Sequence, residues 1–175
     1  MKKQIIIALL AVSAFILGAA EQPVNLLEKR PWRVMRSAKN TVIDNIGKEF
    51  HCDGKGKGDE GVFIVYDFKP VVAAGDKIVI SAESKIAEVP AGRTLSPSGY
   101  AIYVDVTFAD NTRKFGLVSP FKYTNHDWEK AELVYEAVKP VKRFNIHLLF
   151  RNGVGKASFR TPVMNVIKKA PAEKK

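Results

Sequence analysis

The sequence predicts an all-β, antiparallel β-sandwich, and three observations carry the prediction. Glycine, proline and asparagine punctuate the chain about every ten residues. The stretches between them are rich in β-branched and aromatic residues or alternate apolar with polar. After the N-terminus, no stretch keeps the 3.6-residue apolar period of an amphipathic helix.

The expected strands follow in order. Residues 40–44 and 48–52 are the weaker candidates. Residues 61–68 form an apolar run closed by Pro70, and 76–83 follow the turn Ala74-Gly75. Residues 99–108 alternate strictly, and Asp110-Asn111 turns them into 112–118. Residues 128–135, then 141–151, the turn Asn152-Gly153 and finally 155–167 complete the set. Between 51 and 60, three glycines and two lysines sit beside Asp53, Asp59 and Glu60. A calcium loop needs oxygen donors where the lysines stand, so this segment is expected to be a mobile hairpin loop.

The ends of the chain define its organisation. Met1-Lys2-Lys3 precedes the apolar run 5–17, the small residues Gly18-Ala19-Ala20 and then Glu21. A short positive region, an apolar core and a small-residue exit form a secretory signal, here residues 1–20. The run is shorter than the roughly 20 residues a spanning helix needs, so no membrane span is expected after cleavage. Residues 21–167 are left as one domain, and 168–175, with four lysines and Pro171, read as a disordered basic tail. The destination is periplasmic or secreted. A single cysteine, Cys52, excludes an internal disulfide, so stability rests on packing.

The formal charge of +10 falls to +8 without Lys2 and Lys3, and the tail carries +3 of that. The balance favours anionic partners, which outside the cytoplasm are acidic polymers; nucleic acid does not fit an exported chain. His51, His126 and His147 are scattered, so no metal site is expected, and no glycine loop leads into a helix to cradle a phosphate.

Two strands show which residues face out. Ile102, Val104, Val106 and Phe108 share one side of 99–108, which leaves Tyr103, Asp105 and Thr107 on the other. Phe144, Ile146, Leu148 and Phe150 share one side of 141–151, leaving Asn145, His147, Leu149 and Arg151 opposite. If the two strands are neighbours, the polar sides form one surface. Tyr103 offers a flat ring for stacking, and Asp105, Asn145, His147 and Arg151 offer hydrogen-bonding groups. The Arg151 fork suits a carboxylate or sulfate. A cross-strand pair of Asp105 with Arg151 that only neutralises the sheet is equally open. Trp32, among arginines near the mature N-terminus, is either a further binding platform or a lid over one end of the core.

Residues 124–129 (Thr-Asn-His-Asp-Trp-Glu), the pair Lys139-Pro140 before 141–151, and 155–159 (Gly-Lys-Ala-Ser-Phe) occur in an order seen elsewhere. Over 100–166 the chain resembles jelly-roll carbohydrate-binding modules of the galactose-binding-like superfamily, of the family four/nine type. The resemblance implies a jelly-roll sandwich, with Trp128 anchoring its turn against the core. The sequence departs from the family where Ser158 replaces tryptophan, and where Arg160 and Thr161 replace acids that hold a structural calcium there. No calcium and no other cofactor is therefore expected. What the resemblance implies for function is an exported, monomeric, non-catalytic module that binds a polysaccharide or oligosaccharide, possibly acidic, on a concave sheet face.

Two other readings stay open. One is a structural or protein-interaction sandwich without a sugar ligand, since a fold does not decide function. The other is a β-sandwich polysaccharide lyase, in which Tyr103, His147 and Arg151 would act on a uronate.

Overall fold

The structure, a computed structural model, describes residues 24–44 and 49–170; the expected signal 1–20 and residues 171–175 lie outside them. Among the described residues every regular element is a strand: β1 (Arg33–Val34), β2 (Thr41–Ile43), β3 (Glu49–Lys55), β4 (Asp59–Val72), β5 (Lys77–Ala87), β6 (Tyr100–Phe108), β7 (Arg113–Pro120), β8 (His126–Glu136), β9 (Val141–Arg151) and β10 (Val154–Ile167). They form two five-stranded antiparallel sheets, β1-β4-β9-β6-β7 (sheet A) and β2-β3-β10-β5-β8 (sheet B).

The chain passes from one sheet to the other at nearly every connection. Only β2–β3 and β6–β7 join partners within a sheet. The glycine-rich segment is therefore not the expected hairpin loop. Residues 51–55 belong to β3 and 59–60 to β4, and the turn between them crosses from sheet B to sheet A. That turn is held. The Gly56 amide donates to Gly153 O (2.8 Å), Gly58 N donates to the Asn152 side-chain oxygen (2.9 Å), and Asn152 N donates to Gly58 O (2.8 Å).

The alternation expected in β6 and β9 is present. Ile102, Val104, Val106, Phe144, Ile146, Leu148 and Phe150 point inward and are fully buried. They meet Phe50, Ile78, Ile80, Leu133, Phe159 and Met164 from sheet B. Each large side chain removed from water contributes roughly 2 kcal/mol of the cohesion. Tyr100, at 1% exposure, sits among the rings of Phe121, Tyr123, Phe150 and Phe159. Its hydroxyl is bonded to Ser84 Oγ, which donates to Ser158 O at 2.7 Å, so this buried polar atom is satisfied. Cys52 is buried, and burial pushes its thiol up to about 12, which leaves it unreactive.

The run expected to close at Pro70 continues to Val72. Proline lacks the amide that a strand ladder needs, and the β4–β9 register slips between Asp67 and Val72. Two buried carboxylates pin the connecting segments. Glu60 accepts from Lys39 N (3.2 Å), Asn40 N (2.9 Å), Asn40 Nδ2 (3.1 Å) and Thr41 Oγ1 (2.7 Å), which fixes the chain between β1 and β2. Asp76 accepts from Lys168 Nζ (2.8 Å) and Lys169 N (3.0 Å), so the first residues of the expected tail are held to the sandwich.

Gly61 lies directly opposite Leu149 in the β4–β9 pairing. Its φ is +132°, and a Cβ there would stand 2.1 Å from the Leu148 carbonyl oxygen, a backbone atom that cannot swing away. Gly61→Ala is expected to lower unfolding free energy by about 2–3 kcal/mol. Chemical denaturation of the two proteins checks this; equal midpoints would mean the two strands have room to part.

Candidate functional site

The outer face of sheet A is built by register. In the middle row, His147 of β9 lies opposite Phe63 of β4 on one side and opposite Tyr103 of β6 on the other. The Phe63 ring stacks on the imidazole (5.9 Å between centroids, 23°), and Tyr103 meets it edge to face (5.7 Å, 75°). Three flat rings thus run side by side across three adjacent strands. In the next row Asn145 lies opposite Val65 and Asp105. Asp105 accepts from the Gly116 amide at 3.2 Å, which holds the bulged turn of β7 beside the Tyr103 hydroxyl. Over the Phe63 end, Met35, Arg36 and Ser37 make one wall of an open cleft of about 410 Å³ whose floor is Phe63 and His147.

Of the residues expected to form a surface, Tyr103, Asp105, Asn145 and His147 come together, all half-buried on this face. Arg151 shares the face but is committed. Its Nε and Nη2 donate to the two carboxylate oxygens of Asp59 (2.7 and 3.0 Å), so the pairing with Asp105 that the sequence left open is replaced by one with β4. Arg143, at the other end of β9, is held by Asp67 in the same way (2.6 and 3.1 Å). Trp32 does not join the row. β1 turns Arg33 outward and Trp32 inward, onto Phe50 (5.4 Å), where it walls a separate cleft of about 220 Å³ with Leu27 and Thr161. Of the two roles open to it, the lid is the one its packing fits.

Trp128 corrects another expectation. It points outward from sheet B, not into the core, with Arg160 3.9 Å and Lys85 4.6 Å from its ring centre. The inward positions of β8 are Ala131, Leu133 and Tyr135. Phe63 was missed for a plain reason. Residues 62–66 are all apolar or aromatic, so alternation marks neither side as outward. Only pairing with β9, where His147 is known to face out, assigns it.

The electrostatics of the row suit binding better than proton transfer. Burial pushes the Tyr103 hydroxyl above its ordinary value, and the Asp105 carboxylate adds to the rise. Burial lowers His147, outweighing the attraction of Asp105 and Asp59, so the imidazole is neutral at pH 7. The bond to Asp59 raises Arg151, which stays charged throughout. Among the described residues, no group of three or more His, Cys, Asp or Glu side chains is placed to hold a metal ion.

The outer face of sheet B is different in kind. Glu49, Arg160, Glu83 and Lys130 lie opposite one another on β3, β10, β5 and β8, so charges alternate in sign across the sheet. Asp53 opposes Lys156, and Lys77 opposes Glu136. This is a self-neutralising, solvated surface.

With the geometry established, the comparisons with known proteins are consistent with the fold. No protein-family model matches the chain, and no curated protein does. Solved structures do. A cellulose-binding domain of a Cellulomonas fimi β-1,4-glucanase is similar over 86% of this chain and 99% of its own, at 14% identity and a TM-score of 0.55. A family 22 xylan-binding domain from Paenibacillus barcinonensis is similar over 81% and 89%, at 12% identity and 0.50. The enzymatically active domain of a tailspike from bacteriophage CBA120 is similar over 79% of this chain but 20% of its own, at 10% identity and 0.53. The shared element is the all-β jelly-roll sandwich.

The neutral imidazole has a measurable consequence. Its folded-state pKa lies below the unfolded value near 6.5, so on acidification the unfolded chain takes up the proton first. The contribution of His147 to stability is therefore complete above about pH 6.5 and is lost as pH falls from there through the lowered value. His147→Gln is expected to flatten the fall in melting temperature between about pH 7 and pH 5. Parallel profiles for the two proteins would show that the imidazole titrates as freely folded as unfolded.

Proposed function

We propose that this protein is an exported, non-catalytic carbohydrate-binding module that holds a polysaccharide chain on the outer face of sheet A. The observation that carries the reading is the row Phe63–His147–Tyr103. Sugar rings have apolar faces and hydroxylated edges, so recognition calls for flat aromatic surface with hydrogen-bonding groups alongside. Phe63 and Tyr103 supply the surface, and His147, Asn145 and Asp105 supply the groups. The xylan-binding and cellulose-binding domains that share the fold support the reading, and so does the resemblance of the motifs at 124–129 and 155–159 to modules of the family four/nine type. Residues 1–20 serve as the signal, residues 21–167 form the binding domain, and the domain acts as a monomer in the periplasm or outside the cell. Arg151 has no part in reading an acidic sugar on this account, because Asp59 already occupies its fork.

The lyase alternative loses its support at the same residues. A tyrosine base for proton abstraction needs a lowered pKa, and Tyr103 is shifted upward. An arginine that neutralises a uronate must be open, and Arg151 is closed.

Isothermal titration of the mature domain with soluble xylan and soluble cellulose derivatives tests the proposal. Binding is expected, and Phe63→Ala and Tyr103→Ala are each expected to weaken it by about 1–2 kcal/mol, roughly five- to thirtyfold. Trp32→Ala is expected to reduce stability while leaving affinity unchanged. Absence of binding to every polymer would favour the protein-interaction module, and unsaturated products from a uronate polymer would favour the lyase.

A further inference from the structure

The floor of the face carries little net charge, but its rim does not. Between Glu28 and Asp44 the chain has five cations, Lys29, Arg30, Arg33, Arg36 and Lys39, and no acid. This segment runs along the open edge of sheet A beside Phe63. Arg33 lies directly opposite Phe63 in the β1–β4 pairing and is exposed. With Arg30 and Val65 it lines a small cleft of about 180 Å³ on one flank of that ring. Arg36, also exposed, lines the larger cleft on the other flank, over Phe63 and His147. Arg30 is engaged with the Tyr66 ring at 5.1 Å. Among the described residues neither Arg33 nor Arg36 has an acidic partner, whereas Arg143, Arg151 and Arg160 are each paired with a carboxylate.

An unpaired guanidinium beside an aromatic platform is a receptor for a carboxylate. Its planar fork matches two carboxylate oxygens, and solvation is shed at less cost than for an ammonium. We propose that Arg33 and Arg36 bind carboxylate groups carried by the polysaccharide, so that the protein prefers a chain whose neutral rings lie on Phe63, His147 and Tyr103 while an acidic sugar or acidic branch meets the β1 rim. This inference rests on the proposed glycan face and names the class of glycan that face selects. Floor and rim divide the work. On the floor, Asp59 and Asp67 cancel Arg151 and Arg143, and Asp105 adds a negative charge, so an anionic ring is unwelcome there. The rim supplies attraction that the floor withholds.

The test uses two polymers with one backbone: hydroxyethylcellulose, which is uncharged, and carboxymethylcellulose, which carries carboxylates as side groups. Polygalacturonate, with carboxylates on the main-chain rings, and dextran sulfate complete the set. Affinities are measured for the mature protein, for Arg33→Gln/Arg36→Gln, and for Lys130→Gln/Lys156→Gln, which removes the same charge from sheet B. Carboxymethylcellulose is expected to bind about tenfold tighter than hydroxyethylcellulose. The arginine pair of substitutions should remove that preference, leave hydroxyethylcellulose within about twofold and leave melting temperature unchanged; the lysine pair should retain the preference. Carboxymethylcellulose is expected to bind more tightly than polygalacturonate; the reverse order would put anionic rings on the floor and overturn the division between floor and rim. Equal loss from the two double variants, or dextran sulfate binding as tightly as carboxymethylcellulose, would reduce the effect to net charge and overturn the inference. Hydroxyethylcellulose binding with no carboxylate preference would overturn it while leaving the glycan face standing. Failure to bind any of the four polymers would remove both.

Discussion

The strict two-residue period of β9 is the constraint on which the other arrangements depend. Phe144, Ile146, Leu148 and Phe150 all have zero exposure, and the strand lies at the centre of sheet A, paired on both sides. A slip of one residue would carry all four large side chains out of the core and bring Asn145 and His147 in, at a cost of several kcal/mol. His147 therefore has to face outward. Once β4 and β6 are registered against β9, Phe63 and Tyr103 have to stand beside it. The aromatic row is a consequence of core packing, and its geometry is as rigid as the core.

What could be read from sequence follows the same logic. β6 and β9 alternate without a break, so both the strands and their outward faces were legible before any coordinates. The face of β4 was not, because the uninterrupted run 62–66 satisfies either orientation. Nor was the allocation of strands to sheets, since chain neighbours mostly lie in opposite layers, and this is why the glycine-rich segment looked like a hairpin loop. The partner of Arg151 was hidden for a related reason. Asp59 sits at the edge of that segment, and only the β4–β9 register shows it opposite the guanidinium. β1 is two residues long and carries no pattern at all, yet it sets Arg33 beside Phe63. Trp128 was placed by family resemblance, and there the resemblance misled. In the family a tryptophan fills the position of Ser158, whereas here Ser158 bonds His51 at 3.0 Å and Trp128 packs under Lys85 and Arg160.

The two outer faces differ in what they leave open to a ligand. Sheet B opposes glutamates with lysine and arginine across four strands, Arg160 is paired with Glu83, and the Trp128 ring on this face is covered by Arg160 and Lys85. A ligand would have to displace interactions that already exist. Sheet A keeps its ion pairs at the two ends of β9 and leaves rings, an amide and a neutral imidazole between them. Partial burial lowers the pKa of His147 and raises that of the Tyr103 hydroxyl, so both shifts favour the neutral forms. Both stay available as neutral hydrogen-bonding groups, which suits contact with hydroxyls.

The row also sets a direction. Phe63, His147 and Tyr103 are contributed by β4, β9 and β6, so the aromatic strip crosses the strands, with about 5 Å from each strand to the next. Along the strands the surface changes within two residues, to Val65, Asn145 and Asp105 on one side and to Gly61, Leu149 and Ala101 on the other. Leu149 and Ala101 are buried, at 1% and 0% exposure, so the face closes in that direction. On the proposed reading, a chain that keeps its apolar faces on the rings would run across the strands, from β1 towards β7, with its hydroxylated edge turned to Asn145 and Asp105. That direction delivers one end of the chain to the edge where Arg33 and Arg36 stand. The same register that aligns the rings decides which end of the ligand meets positive charge.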